Sequence, residues 1–264
     1  MKHKDIYEWD PKLAADPTFH QRKKYFNRTS DSLVCDGPDH YAGIKEKFPP
    51  HLQKEYELPI EYKHNNIGFR NHRDVSDHMN EGILAIGDSF TEGDGVRYEH
   101  LWTSQLEKEL NVPVHNFGIC NTGLDEWFRI FLRYSRKFSD KRVYILSTFF
   151  SRFSTPNKHH YWNPIWVDDF VDIWRHYFVC DNHTHYTYQI KMLAIQQLAD
   201  KFGKQLIVYN LHELLDNPLM HDDTWWHSGK DHTGKYDLAR DGLHLGKNFH
   251  DDITQKFLEL TDIY

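Results

Sequence analysis

The rhythm of apolar and polar positions changes near residue 82. Beyond it, short continuous apolar runs alternate with stretches of helical period. Residues 82–87, Gly-Ile-Leu-Ala-Ile-Gly, form an apolar run ending in small residues, which predicts a buried parallel strand. Trp102, Leu106 and Leu110 follow at helical spacing and predict an amphipathic helix. Residues 112–117 read as a second strand and 124–138 as a second helix. Residues 142–150, rich in Val, Ile, Tyr and Phe, read as a third strand. A long helix is then predicted with Tyr186, Ile190, Leu193, Ala194, Leu198 and Phe202 on one face, stopped by Gly203. Residues 205–210 give a fourth strand, and Phe249, Ile253, Phe257 and Leu260 mark a C-terminal helix. Strands alternating with helices predict an α/β fold, a parallel sheet covered on both faces through right-handed crossovers.

Residues 1–80 lack that alternation. They carry Pro11, Pro17, Pro38, Pro49, Pro50 and Pro59 amid charged, His and Tyr residues. The reading is an irregular N-terminal extension packed on a main domain at 81–264, with an aromatic-rich insertion at about 153–182. In that insertion Trp162, Trp166, Phe170, Trp174 and Phe178 recur every four residues. Such a stripe either packs on a core or another subunit, or forms an aromatic lid or sugar platform. Asp168, Asp169 and Asp172 would be the solvated side of the same helix.

In a sheet of this kind ligands bind beyond the carboxyl ends of the strands. Ser89 stands directly after the first strand, in Gly87-Asp88-Ser89-Phe90. A serine is a useful nucleophile only with a base in reach. Far along the chain, Arg240-Asp241-Gly242-Leu243-His244 places an Asp three residues before a His on a tight turn. The Asp can accept the Nδ1 proton and fix the tautomer, leaving Nε2 to take the serine proton. After the second strand, Asn116-Phe117-Gly118 offers a bare glycine N–H that can approach an oxyanion, as the Ser89 N–H can. The plainer readings are an N-cap for Ser89, a solvated turn for Asp241 and His244, and an ordinary strand-end turn for Gly118. Asp88 would cap the helix or brace the site, and Asn121 would form a turn or line the pocket. Cys120 reads as a buried small side chain rather than a second nucleophile. The nucleophile elbow G-x-S-x-G fails, because Thr91 occupies the second glycine position.

These blocks, Gly-Asp-Ser-Phe, Asn-x-Gly and Asp-x-x-His, in this order, resemble the SGNH (GDSL-type) hydrolase superfamily. The lead-in Asn65-Asn66-Ile67-Gly68-Phe69-Arg70 is similar to a segment upstream of the serine in some members. The resemblance spans residues 65–250. It implies a flavodoxin-like three-layer α/β/α sandwich and hydrolysis of carboxylic esters, often acyl groups on sugars, lipids or small alcohols, with no cofactor. By position it implies Ser89 as nucleophile, His244 as base, Asp241 as the histidine's partner, and Ser89 and Gly118 as backbone oxyanion donors. One block departs from the pattern. After the third strand the family usually carries G-x-N-D, whereas this chain reads Ser147-Thr148-Phe149-Phe150-Ser151-Arg152. Arg152 falls nearest the Asn slot, where a guanidinium would donate to an oxyanion or select an anionic substrate group. Asp88, Asn121, Trp162 and Trp166 are the residues expected to line the substrate. A weakly active or inactive carbohydrate-binding module on the same fold, and an acyltransferase, are the alternatives.

Composition narrows the partners. The 264 residues hold 32 basic and 39 acidic side chains, a net charge of −7, with no basic stripe, which argues against nucleic acid. The longest apolar run, 144–150, is far short of the roughly 20 residues that span a bilayer. The start, Met-Lys-His-Lys-Asp, does not read as a secretory leader. Cys35, Cys120 and Cys180 are widely spaced and give no disulfide framework, which predicts a cytoplasmic protein. The 20 histidines invite a metal reading, but His212-Glu213 lacks the second His of H-E-x-x-H. The groups His159-His160, His183-x-His185 and His221 to His232 match no familiar ligand spacing, so no metal is expected.

Overall fold

The computed structural model describes residues 27–30, 45–48, 50–120, 122–147, 154–156, 162–164, 181–211, 236–242 and 244–263. In chain order the elements are β1 (Thr29–Ser30), α1 (Pro50–Tyr56), β2 (Tyr62–Lys63), β3 (Ile83–Gly87), α2 (Ser89–Glu92) and α3 (Trp102–Leu110). Next come β4 (Val114–Gly118), α4 (Leu124–Tyr134), β5 (Arg142–Ser147), β6 (Ser154–Pro156) and β7 (Trp162–Pro164). The last are α5 (Asp181–Phe202), β8 (Gln205–Asn210) and α6 (Lys247–Ile263).

β3, β4, β5 and β8 form one parallel sheet in the order β4-β3-β5-β8. Alternation along the strands sends side chains to two faces. Leu84, Ile86, Phe117, Val143 and Ile145 pack with Trp127, Ile130 and Phe131 of α4 and with Ile195, Leu198 and Ala199 of α5. Ile83, Ala85, Val114, Tyr144, Leu146 and Ile207 pack with Trp102 and Leu106 of α3 and with Phe249, Ile253 and Phe257 of α6. The result is a three-layer α/β/α sandwich with flavodoxin-like strand order, in which the first sheet strand lies between the second and third.

The sequence boundaries move by a few residues for identifiable reasons. The second strand starts at Val114 rather than 112, because Asn111 ends α3 in the left-handed region. The second helix ends at Tyr134, and a 3₁₀ turn covers Ser135–Lys137. The larger correction concerns α5. Of the face predicted from the sequence, Leu198 and Phe202 pack in the core, whereas Tyr186, Ile190 and Leu193 are exposed. The buried stripe is Ile195, Leu198 and Ala199, with Tyr188, Met192 and Phe202 packed against the same cluster. Two apolar stripes compete on this helix, and contact with α4 selects the one centred on Ile195. Its end is as predicted: the Gly203 N–H donates to the Asp200 carbonyl and the Lys204 N–H to Ala199, a Schellman stop.

Residues 60–75 enter the main core. Ile60, Tyr62, Phe69 and Val75 are buried, and β2 pairs antiparallel with β1. The second half of the lead-in motif turns on Asn65, whose Oδ1 accepts from the N–H groups of Ile67 and Phe69. That turn drives Phe69 onto Phe117, with ring centroids 4.2 Å apart, and buries Arg70 completely. In the region predicted as an insertion, β6 and β7 pair antiparallel, with Trp162 opposite Pro156. The remaining residues of the aromatic stripe, Trp166, Phe170, Trp174 and Phe178, lie outside the described residues.

Candidate active site

The carboxyl ends of β3 and β4 meet under the short helix α2. At Gly118 there is no room for a side chain: a Cβ would stand 2.1 Å from the Glu92 amide nitrogen and 2.5 Å from the Thr91 carbonyl carbon. Asn116 completes the staple. Its Nδ2 donates to the Thr91 carbonyl at 2.6 Å, and its Oδ1 accepts from the Gly118 N–H at 2.8 Å. The Asn-x-Gly block therefore clamps α2 onto the sheet end.

Asp88 is the N-cap of α2, with its Oδ1 accepting from the Phe90 N–H at 3.0 Å. The capping role weighed for Ser89 is thus filled by its neighbour. Ser89 is 1% exposed, and its Oγ makes no hydrogen bond. A buried hydroxyl left out of every local bond is costly for a purely structural residue.

Asp241 and His244 meet as the spacing predicts. Asp241 Oδ2 lies 2.5 Å from His244 Nδ1, and Asp241 Oδ1 accepts from the His244 N–H at 3.0 Å. The turn is closed by the Ala239 N–H donating to the His244 carbonyl and the Gly242 N–H to Ala239. The imidazole stands edge-on to Phe90, next to Ser89 in the chain, with centroids 5.3 Å apart. The structure thus joins Asp241 to His244 and brings His244 beside α2, but no hydrogen bond links Ser89 Oγ to the ring. Such contacts are often long before substrate binds. Burial disfavours a charged His244, but the Asp241 carboxylate, through charge and hydrogen bond, then Asp94 and Asp88, outweigh it and push the ring up to about 9.

Sequence reasoning missed three groups here. Arg70 donates to the backbone carbonyls of Glu61, Glu92, Gly93 and Val96, and its guanidinium lies 4.1 Å from the Tyr62 ring centroid. Glu92 is buried, accepts from the Cys120 N–H at 2.5 Å, and has its Oε1 3.9 Å from His64 Nε2. Asp94 is half-buried, and burial followed by the Glu92 charge pushes its carboxyl up to about 7. The available signal was the unbroken polar run Thr91-Glu92-Gly93-Asp94-Gly95 after the serine, together with an Arg in the lead-in.

Arg152, Asn121 and Trp166 lie outside the described residues. Trp162 is described as backbone of β7. Among the described residues no group of three or more His, Cys, Asp or Glu could hold a metal ion, and no helix is long and apolar enough to cross a membrane. Cys120, expected to be buried, is only partly so, forms no disulfide, and its side chain bonds the Asp94 carboxyl. No protein-family model matches the chain, and no curated protein matches it. Solved structures do match, among them a candidate lipolytic protein of the G-D-S-L family from Desulfitobacterium hafniense. That protein is 17% identical over 68% of this chain and 73% of its own, with a TM-score of 0.31.

Proposed function

We propose that the protein is a serine ester hydrolase of SGNH type, acting on a small-molecule or glycan ester without a cofactor. The observation that carries the reading is the Asp241–His244 pair set against Phe90, the chain neighbour of a buried serine whose hydroxyl no structural bond uses. In the reaction, neutral His244 takes the Ser89 proton as Oγ attacks the ester carbonyl. The imidazolium, held by Asp241, then protonates the departing alcohol and leaves an acyl-enzyme. Water, activated by His244, releases the acid and regenerates Ser89. The Ser89 N–H is the first oxyanion donor. The Gly118 N–H is the second, provided it exchanges its bond to Asn116 Oδ1 for one to the oxyanion. Arg152, nearest in sequence to the usual Asn slot, is the candidate for the third donor, or else for selecting an anionic substrate group.

The second reading is a binding module that keeps the motif residues with little turnover. It is favoured by the missing Ser89–His244 hydrogen bond and by the engaged Gly118 N–H. An acyltransferase is separated from a hydrolase by analysing the products with and without added sugar alcohols. Turnover of p-nitrophenyl acetate decides between the enzyme and the module. The enzyme reading expects Ser89→Ala and His244→Ala each to lower kcat by roughly 10⁴–10⁶ with the fold intact. Equal turnover by wild type and Ser89→Ala would refute it.

A further inference from the structure

The loop leaving α2 carries an acidic residue that the proposed reaction does not yet use. The Asp94 N–H donates to the Ser89 carbonyl at 3.3 Å. The next residue, Gly95, is clamped on both sides. Its N–H donates to the Tyr62 hydroxyl at 2.9 Å, and its carbonyl accepts from the Arg240 N–H at 3.0 Å. Its φ is +74°, and a Cβ there would stand 2.9 Å from Ala239 Cβ and 3.0 Å from the Asp241 nitrogen. The backbone at 94–95 is therefore wedged between the Ser89 turn and the turn that bears Asp241 and His244.

Four carboxylates gather at this end of the sheet, and three have evident employment. Asp88 caps α2, Glu92 binds the Cys120 N–H, and Asp241 holds His244. Asp94 differs. Its Oδ1 is buried with no hydrogen-bond partner, and the carboxyl's bond to the Cys120 side chain does not engage that atom. A buried, uncommitted carboxylate oxygen is costly unless a neighbouring positive charge or donor compensates it.

We infer that Asp94 is a positioning residue of the site, a second carboxylate that acts on His244 in concert with Asp241 and steadies the imidazolium formed when Ser89 is deprotonated. Its catalytic consequence rests on the esterase reading above; its electrostatic effect on His244 does not. The other groups around the ring are Asp241 on its own turn, Asp88 at the end of β3 and His250 on α6. Around Asp94 stand Glu92, Cys120 and Asp241. Arg70 reaches the same loop through the Glu92, Gly93 and Val96 carbonyls, and Arg240 adjoins it through the Gly95 carbonyl. Against its burial, the Asp241 carboxylate, and behind it the Asp94 charge, raise the histidine, because an opposite charge favours the imidazolium.

The test follows the His244 ring by NMR through a pH titration of the full chain, as wild type, Asp94→Asn and Asp94→Glu. Asp94→Asn is expected to lower the His244 titration by roughly one unit, and Asp94→Glu to restore it. The acid-side limb of log kcat/KM for p-nitrophenyl acetate should move down in pH by the same amount, a shift that a merely structural residue would not cause. An unmoved His244 titration in Asp94→Asn overturns the inference. A moved titration in a protein with no esterase turnover supports the electrostatic role and refutes the esterase reading instead. Asp94→Ser is read in the same way. Loss of the folded near-UV spectrum in both Asn and Ser variants also overturns the inference, since the fold itself would then need the carboxylate.

Discussion

Replacing Arg70 by Met tests how the lead-in motif supports the site. Methionine keeps much of the apolar volume but removes every donor of the guanidinium. Four backbone carbonyls, those of Glu61, Glu92, Gly93 and Val96, then lose a charge-assisted partner in a place where Arg70 itself has no exposure. The Gly93 carbonyl keeps the Val96 N–H and Glu61 is exposed, so the buried acceptors left unsatisfied are those of Glu92 and Val96, and at about 2 kcal/mol each they give ~4 kcal/mol. Loss of the contact with the Tyr62 ring adds about 1 kcal/mol. The relief of a buried charge works the other way. It does not cancel the loss, because removing one partner leaves the carbonyls behind. For a domain of this size each kcal/mol lowers Tm by roughly 2–4 °C, so a fall of about 10 °C or more is expected. The assay is urea denaturation followed by tryptophan fluorescence, with a thermal melt alongside. A loss of under about 1 kcal/mol would refute the reasoning, because the carbonyls would then have found other partners.

Three further outcomes follow from the geometry. His250 is buried with Nδ1 accepting the Trp102 N–H, and burial, then Arg70, push it down to about 3, against 6.5 when unfolded. Its folded value is depressed, so the unfolded chain binds the extra proton and stability is lost as pH falls from about 6.5 towards 3; His250→Asn should flatten that part of the urea-derived stability curve. In the proposed reaction His244 must be neutral, so kcat/KM should rise with pH towards an apparent value near 9; a profile already flat above pH 6 would contradict the raised His244. On α5, Ile195→Ala should cost about 2–5 kcal/mol and Leu193→Ala under about 0.5 kcal/mol, measured by denaturant midpoint; the reverse order would restore the face first read from the sequence.

The sheet and most of its helices were legible because β3, β5 and β8 carry continuous apolar runs and α3, α4 and α6 each keep a single dominant stripe. Helix α5 was not, because it carries two apolar stripes and only the approach of α4 decides between them. Within the site, Asp241 and His244 were legible because their pairing is local, three residues apart on one turn. Ser89 was recognisable by its place after a strand, yet its freedom from capping depends on Asp88, which local sequence left undecided. Asp94 and Arg70 were missed because their roles are tertiary. Arg70 reaches the Glu92, Gly93 and Val96 carbonyls, more than 20 residues away, and the loop at Asp94 meets the Asp241 turn through the Gly95–Arg240 backbone bond, between segments far apart in the chain. The Asn-x-Gly block was read as an oxyanion element, and its visible work is to staple α2 to the sheet.

The central claim, that Ser89 is an activated nucleophile, is met most directly by labelling the full chain with a fluorophosphonate and mapping the adduct by mass spectrometry. The account predicts a single stoichiometric adduct on Ser89, slowed strongly by His244→Ala and abolished by Ser89→Ala. No adduct at Ser89 in the folded wild type, or equal labelling of wild type and His244→Ala, would contradict it.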